Sequence, residues 1–255
     1  MSLDLDQRQR AMLQEMHVRV WWPMSTGAAA LETPVAAATV PAQAEPVRPV
    51  AAAGPIDAMD WPQLAQAVAT CGACKLSAGR KAPVFYPQAH PRQADWLLIG
   101  EPPNDEEERA GAPFVGQAGQ LLDNMLRALR LSRDGSGSQG AWLTNVVKCR
   151  PALVRTPQPD ELASCAHYLR REIALVRPRV ILAMGRFAAQ SLLAADHPQL
   201  ANVPFAKLRG QVYRYHGVPL VVTYHPATLL RAGQDKANAW ADLCLARSVA
   251  LADRA

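Results

Sequence analysis

Four of the five cysteines have the spacing of a metal site. Cys71 and Cys74 form a Cys-x2-Cys pair, and after 74 intervening residues Cys149 and Cys165 follow, separated by 15 residues. Thiolate quartets of this kind hold a [4Fe–4S] cluster or a structural zinc. Because each thiolate must reach the metal from its own direction, the fold has to return the distant pair to the first pair. The spacing therefore predicts one globular unit that contains residues 71–165. It does not distinguish an iron–sulfur cluster from a zinc ion.

A disulfide framework is the alternative use of these cysteines. The N-terminus has no basic segment followed by an apolar one, and no apolar run approaches the length of a membrane span, so no secretory context favours disulfides. We therefore expect a metal site in a cytoplasmic protein that does not enter a membrane. The fifth cysteine, Cys244, lies in an apolar helical stretch and is expected to be a core residue.

The net charge of +5 is unevenly distributed along the chain. Residues 1–26 sum to zero and residues 27–57 to −2, so the remainder carries +7. A basic globular part fits a polyanionic partner such as nucleic acid, whose phosphates dominate the affinity. Many basic proteins have no such partner, so the charge by itself does not decide the function.

Composition divides the chain into three parts. Residues 27–57 contain eleven alanines and five prolines in 31 positions, with no aromatic residue. This predicts a disordered linker, because such a stretch cannot bury enough apolar surface to fold. Residues 1–26 hold a short helical candidate followed by Trp21 and Trp22, which either pack back on the domain or anchor a docking peptide. Residues 58–255 are predicted to form the domain.

From Trp61 onward the sequence pattern alternates strands and helices. The periodicity of residues 159–176 puts Cys165 on the apolar stripe of a helix, where a ligand thiolate belongs. Alternation of this kind favours a mostly parallel sheet with helices on both faces, with the active site beyond the carboxyl ends of the strands. The predicted strands are 95–100, 141–149, 180–185, 211–215 and 218–224, and the predicted helices are 116–131, 159–176, 187–194 and 235–249.

Three polar residues stand where predicted strands end. Glu101 follows Gly100 in a proline-rich turn, Asn145 lies in a Thr-Asn pair, and His225 follows the last strand. Taken singly, each has an ordinary structural interpretation, such as a solvated turn acid or a structural histidine. Phe114 lies in a glycine-rich segment and offers a flat stacking surface that the glycines let a ligand approach.

Taken together, these segments resemble the iron–sulfur (family 4) uracil-DNA glycosylases, in the same order and over about residues 60–250. The resemblance adds several short motifs to the cysteine spacing. They are the GE-x-P turn at 100–103, PFVGxAGQLL at 113–122, TNVVKCRP at 144–151, Ala183-Met-Gly-Arg186, Leu208-Arg-Gly210 and HPAxLLR at 225–231. So many motifs in one order form a specific signature.

The resemblance implies a pocket that excises uracil flipped out of the DNA. Asn145 would donate to O4 of the base and accept from N3–H, a pattern that cytosine cannot match. Phe114 would stack on the flipped ring, with Gly100 allowing close approach. His225 would donate to O2 as negative charge develops there, and Glu101 would position water or stabilise the sugar cation.

The resemblance also implies a [4Fe–4S] cluster rather than zinc, bound by the four cysteines and structural in role. The cluster would tie a DNA-facing loop between Cys149 and Cys165 to the domain, and Arg150, Arg155 and Arg231 are the implied DNA contacts. The implied fold is an α/β three-layer sandwich with a central, mostly parallel four-stranded sheet. A monomer that acts on uracil-containing DNA is expected.

Two departures from the family pattern leave other functions open. The family turn usually ends in glycine, where this chain has Asn104, and Ala152, Leu153 and Val154 replace the family's Pro-Gly-Asn. An amide is therefore absent at Val154, and Asn104 is the candidate substitute at the pocket mouth. The alternatives are a catalytically weakened iron–sulfur DNA-binding module, a glycosylase with altered damaged-base specificity, or a zinc-stabilised nucleotide-binding protein.

The N-terminal peptide has a resemblance of its own. Arg19, Trp21 and Trp22 are similar to the start of the bacterial clamp-loader psi subunit, where a short helix and a tryptophan form a docking peptide. This similarity implies a clamp-loader partner that would tether the domain to the replication machinery.

Overall fold

The computed structural model describes residues 56–85, 93–152, 155–200 and 203–252, which all fall within the compact unit Arg48–Ala255. The predictions for residues 1–26 and for nearly all of the linker, and the departures at Leu153 and Val154, lie outside the described residues. Within the described ranges, no helix combines the length and apolar character that crossing a bilayer requires.

The sheet has four parallel strands and one antiparallel edge strand in the described part of the chain. The strands are β1 (Ala94–Gly100), β2 (Gly137–Asn145), β3 (Val180–Met184), β4 (Val212–Tyr215) and β5 (Val218–Thr223), in the order β2-β1-β3-β5-β4. The mostly parallel sheet is confirmed, with five strands rather than four. The additional strand, β4, pairs antiparallel with β5. It turns back through His216 and Gly217, both at positive φ, as two-residue hairpins require.

Helices cover both faces of this sheet. They are α1 (Trp61–Ala69), α2 (Asp105–Ala110), α3 (Gly116–Ala128), α4 (Pro159–Val176), α5 (Arg186–Asp196), α6 (Phe205–Leu208), α7 (Pro226–Arg231) and α8 (Lys236–Ala252). The prediction for α4 is confirmed at both ends. At its first turn, Glu161 Oε2 accepts the N–H of the N-cap residue Gln158 at 2.8 Å. Helix α3 ends before the predicted residue 131, because Arg130 takes φ 61° and leaves the helical region.

Two apolar clusters, one on each face of the sheet, make the three layers. On one face, Leu97 and Ile99 of β1 join a cluster that includes side chains of α1, α4 and α5. On the other, Trp96 and Leu98 join a cluster with side chains of α3 and α8. The two faces of β1 alternate in this way because successive strand side chains point to opposite sides. The α/β three-layer fold class is confirmed.

Strand β2 ends four residues earlier than its apolar pattern predicted. The prediction of a strand to Cys149 is wrong because the neighbouring β1 ends at Gly100, which pairs with Asn145. The N–H of Val146 still reaches the Gly100 carbonyl at 3.1 Å, and the chain then leaves the sheet. The residues after Asn145 are therefore free to turn towards the cysteines.

Candidate active site and four-cysteine pocket

Glu101 leaves β1 at the carboxyl edge of the sheet and turns towards helix α5. Its Oε1 accepts a hydrogen bond from the Phe187 N–H at 3.2 Å. Burial raises the pKa of Glu101 above its usual value, and the N–H of Phe187 and the charge of Arg231 offset only part of that rise. Gly185 makes room for the carboxylate, since a Cβ there would lie 2.4 Å from Oε1. The edge therefore holds a half-buried carboxyl group in a fitted position.

Asn145 ends β2 beside Glu101 and is only 1% exposed. Its Nδ2 donates to the Glu101 carbonyl oxygen at 2.7 Å, and its amide also hydrogen-bonds the carboxylate of Glu107. Its Oδ1 is buried without a hydrogen-bond partner among the described residues. A buried acceptor left without a donor costs about 1–3 kcal/mol, so this oxygen is suited to an N–H group of a ligand.

Phe114 presents its ring at the same edge and is 2% exposed. A Cβ on Gly100 would lie 2.6 Å from the Phe114 Cζ, so the ring rests directly on the end of β1. The Phe114 backbone takes φ 52°, and its N–H donates to Glu107 Oε1 at 2.6 Å. Glu107 therefore holds both the backbone of the stacking residue and the Asn145 amide.

His225 caps the start of α7 and faces Phe114. Its Nδ1 accepts the Ala227 N–H at 3.2 Å, so the proton of the neutral ring lies on Nε2. Burial, together with the charge of Arg231, lowers the pKa of His225 to about 4. The His225 and Phe114 rings stack with centroids 5.4 Å apart. At neutral pH the site therefore holds an uncharged N–H donor beside an aromatic face.

The four predicted cysteine ligands line one pocket, on the side of the sheet where α1 and α4 pack. Cys149 and Cys165 are buried, and Cys71 and Cys74 are half-buried. Among the described residues, no three His, Cys, Asp or Glu side chains converge on a preformed position for a single ion. The fit to a metal group therefore rests on the chemistry of the surrounding donors.

Those donors suit thiolate sulfurs. Arg80 Nη1 donates to Cys149 Sγ at 3.0 Å, and the Lys148 N–H donates to Cys165 Sγ at 3.3 Å. Burial raises the pKa of Cys165 to about 12, so a bound cation is what would make this sulfur a thiolate. The four residues fit an iron–sulfur group, whose sulfur ligands commonly receive N–H donors.

Comparison with known proteins agrees with this geometry. The chain matches the sequence profile of the Uracil DNA glycosylase superfamily over residues 87–244. The chain belongs to this superfamily. The Type-4 uracil-DNA glycosylase of Archaeoglobus fulgidus is 34% identical over 167 residues, which cover 64% of this chain and 79% of the relative. That of Pyrobaculum aerophilum is 36% identical over 177 residues, covering 68% and 86%. That of Thermotoga maritima is 38% identical over 136 residues, covering 53% and 66%.

The three arginines expected to contact DNA have different surroundings in this superfamily member. Arg150 Nε pairs with the buried Glu108 at 2.8 Å. Arg155 forms two hydrogen bonds with Glu161, at 2.7 and 2.6 Å, and this pairing lowers the pKa of Glu161 to about 2. Arg231 is exposed. Arg150 and Arg155 line the cleft beside Glu101, with part of their charge compensated by internal carboxylates.

Asn104 also lines this cleft, but its side-chain oxygen serves the backbone. It accepts the Glu107 N–H at 2.9 Å, while Glu107 Oε2 accepts the Asn104 N–H at 3.0 Å. The two residues form a capping box for α2. The predicted substitute role at the pocket mouth would therefore fall mainly to the side-chain nitrogen of Asn104.

Sequence reasoning missed Glu107 and Gly185 and misplaced Cys244. The Asn-x-x-Glu spacing of residues 104–107 is a capping-box signal that could have pointed to Glu107, although not to its contacts with Phe114 and Asn145. Cys244 is exposed, so the core prediction for it is wrong. Helix α8 buries its other face, formed by Ala239, Asp242, Leu243, Ala246 and Ala250.

Proposed function

We propose that this protein hydrolyses the N-glycosidic bond of uracil in DNA. The single observation that carries the proposal is the buried Oδ1 of Asn145, which has no hydrogen-bond partner in the described part of the chain. It lies at the same carboxyl edge of the sheet as Glu101 and is linked to Phe114 through Glu107. Membership of the superfamily supports the reaction class, and the Type-4 names of relatives support uracil as the base.

Recognition depends on the free acceptor of Asn145. A uracil flipped out of the duplex stacks on the Phe114 ring and donates its N3–H to Oδ1. Cytosine has no hydrogen on N3, so the same oxygen would face a lone pair and stay unpartnered. Because the two N–H groups of the Asn145 Nδ2 are bonded to the Glu101 carbonyl and the Glu107 carboxylate, discrimination at this residue rests on N3 more than on O4.

Bond cleavage uses the two groups that flank this amide. As the bond between C1′ and N1 breaks, its electron pair moves into the uracil ring and negative charge develops on O2. The neutral Nε2–H of His225 donates to that oxygen and stabilises charge that exists only late in the reaction. Glu101, as a carboxylate, stabilises the sugar cation or orients the water whose oxygen bonds to C1′.

The four cysteines hold a [4Fe–4S] cluster in this proposal, supported by the donors around their sulfurs and by the Type-4 names of the relatives. When bound, such a cluster supplies a covalent cross-link and takes no part in base excision. Cys149 and Cys165 flank the segment that carries Arg150 and Arg155. Ligation of both ends fixes that segment beside the cleft, where the two arginines contact phosphates.

A single-turnover excision assay tests the proposal. The protein, purified anaerobically, is incubated with single- and double-stranded oligonucleotides that carry one uracil, cytosine, hypoxanthine or thymine, and base release is followed. Release of uracil but not cytosine is expected, with Asn145→Asp losing uracil release because a carboxylate cannot donate to the Glu101 carbonyl and the Glu107 carboxylate, the two acceptors that hold the Asn145 side chain. DNA binding without release of any base would overturn the proposal in favour of a non-catalytic DNA-binding module.

A further inference from the structure

A buried ion pair lies between the four-cysteine pocket and the active-site edge. Lys148, the residue before Cys149, pairs through its Nζ with Glu172 of α4, and each side chain is 2% exposed. Lys148 Nζ also donates to the Thr144 hydroxyl and to the Asn145 carbonyl oxygen at 3.2 Å. The Thr144 hydroxyl in turn donates to Glu172 Oε1 at 3.0 Å. The lysine therefore folds back over the segment that carries the Asn145 amide.

The backbone of Lys148 is tied to the cysteine pocket. Its N–H donates to Cys165 Sγ at 3.3 Å, and its carbonyl accepts the Val84 N–H at 2.7 Å. Lys148 also lines the same pocket as the four cysteines. One residue thus contacts a cysteine sulfur through its main chain and the Asn145 carbonyl through its side chain.

Stability alone is a weak reason for this arrangement. Removing two charges from water costs several kcal/mol per ion, and replacing a buried pair by apolar residues of similar volume is often neutral or stabilising. What an apolar pair could not do is direct a hydrogen bond at the Asn145 carbonyl. That bond orients the last peptide group of β2, and the peptide orientation sets the direction in which the Asn145 side chain leaves the backbone.

We propose that Lys148 is a positioning residue that couples the four-cysteine pocket to the base-reading amide of Asn145. This inference rests on the proposed uracil-excising function. Ligation of Cys149 and Cys165 fixes the Lys148 backbone, Lys148 fixes the Asn145 carbonyl, and the Asn145 Oδ1 is thereby aimed at the flipped base. Glu172 and Thr144 hold the ammonium group in place. The cysteine site then acts on base recognition as well as on the fold.

The test uses the double variant Lys148→Met/Glu172→Gln. It removes both charges together, so neither charge is left buried without its partner. The glutamine side-chain oxygen can still accept from Thr144 and from Trp142 Nε1, which donates to Glu172 at 3.4 Å in the parent. Iron content and affinity for uracil-free DNA should match the parent. Affinity for free uracil, measured by calorimetry, and the single-turnover excision rate should both fall at least about tenfold, since small misplacements of binding groups have effects of this size.

Leu243→Ala is the matched control for a loss of stability, because Leu243 is buried in the cluster on the opposite face of the sheet. It should lower thermal stability without changing the affinity for free uracil. Thr144→Val removes only the hydroxyl partner of Lys148 and serves if the double variant fails to fold; a smaller loss of uracil affinity is expected for it.

This inference would be overturned if Lys148→Met/Glu172→Gln and Thr144→Val both bound uracil as tightly as the parent, or if only one of them folds and that one did so. Such a result would not affect the conclusion that the parent excises uracil. If the parent protein binds uracil but does not excise it, the proposed function is overturned and this inference is not. The uracil affinities of parent and variants can still be compared, and that comparison measures the role of Lys148. A parent that neither binds nor excises uracil would overturn both.

Discussion

The four-cysteine pocket and the active-site edge differ in how their polar atoms are satisfied. Around the pocket, donors from Arg80 and Lys148 already reach two of the sulfur atoms. At the edge, the Asn145 Oδ1 remains buried without a donor among the described residues. A site whose polar atoms are satisfied within the protein suits a permanent occupant. A site with an unsatisfied acceptor suits a ligand that binds, is recognised by its hydrogen bonds and is then released.

Removing one of the four cysteines should have the largest effect and would test whether their pocket holds a permanently bound metal group. Cys165→Ala should lose iron and destabilise the fold, because metal binding free energy is folding free energy in such sites. Cys244→Ala should do neither, since Cys244 is exposed on α8. Iron quantification and thermal denaturation provide the measurements. Unchanged iron content in Cys165→Ala would exclude this residue as a ligand.

His225→Ala tests the active-site edge, where the ligand is expected to bind only transiently. Its excision rate should fall by about a hundredfold or more, as loss of a single charge-stabilising donor typically produces. DNA affinity should stay near that of the parent, because the proposed contact strengthens only as charge develops on O2. Parallel single-turnover and DNA-binding measurements separate the two quantities. Equal losses in both would mean that His225 serves binding or folding and not charge stabilisation.

Gly185→Ala should have a smaller effect, roughly tenfold on excision, through displacement of Glu101. The new Cβ would meet Glu101 Oε1 at 2.4 Å, and Gly185 has φ +101°. Gly217→Ala is the matched control, because Gly217 also has positive φ, +83°, but no atom within 4 Å of a Cβ. Both variants should lose some stability, and only Gly185→Ala should lose excision. Equal excision rates would mean that the Glu101 position does not matter.

The pH dependence should report Glu101. Because burial raises its pKa in the folded protein, the carboxylate form that we propose for catalysis is present above that pKa and is lost as the pH falls through it. Excision should therefore decline at a higher pH than an ordinary glutamate would give, whereas His225, with a pKa of about 4, stays neutral until the pH is lower. Rates measured across the pH range for the parent and Glu101→Gln check this. An acidic decline that persists in Glu101→Gln would assign it to another group.

Deletion of residues 1–26 should have the smallest effect on chemistry. If Trp21 and Trp22 belong to a docking peptide, the deletion leaves excision from an oligonucleotide unchanged and abolishes pull-down of clamp-loader subunits. The double variant Trp21→Ala/Trp22→Ala tests whether the two tryptophans alone account for the loss of clamp-loader binding. Loss of excision on deletion would show instead that these residues pack on the domain.

Much of the fold and part of the site were predictable because the information is local. The apolar stripe, the leading proline and the first-turn acids of residues 159–176 specify α4 and orient Cys165. The ends of the apolar strands locate Glu101 and His225 at one edge. By contrast, the composition of α8 does not say which side packs on the sheet, and Cys244 was therefore misplaced.

The sequence by itself determined the four-cysteine set, the strand–helix alternation and the order of the superfamily motifs. Only the tertiary structure decided that Glu107 joins Phe114 to Asn145, that Gly185 accommodates Glu101, and that the Asn145 Oδ1 has no donor among the residues that the structure describes. Periodicity and spacing report how a segment satisfies its own backbone and faces the core. Hydrogen bonds between residues brought together by parallel strands depend on register and on which acceptors remain unpaired, and both are set when the whole sheet assembles.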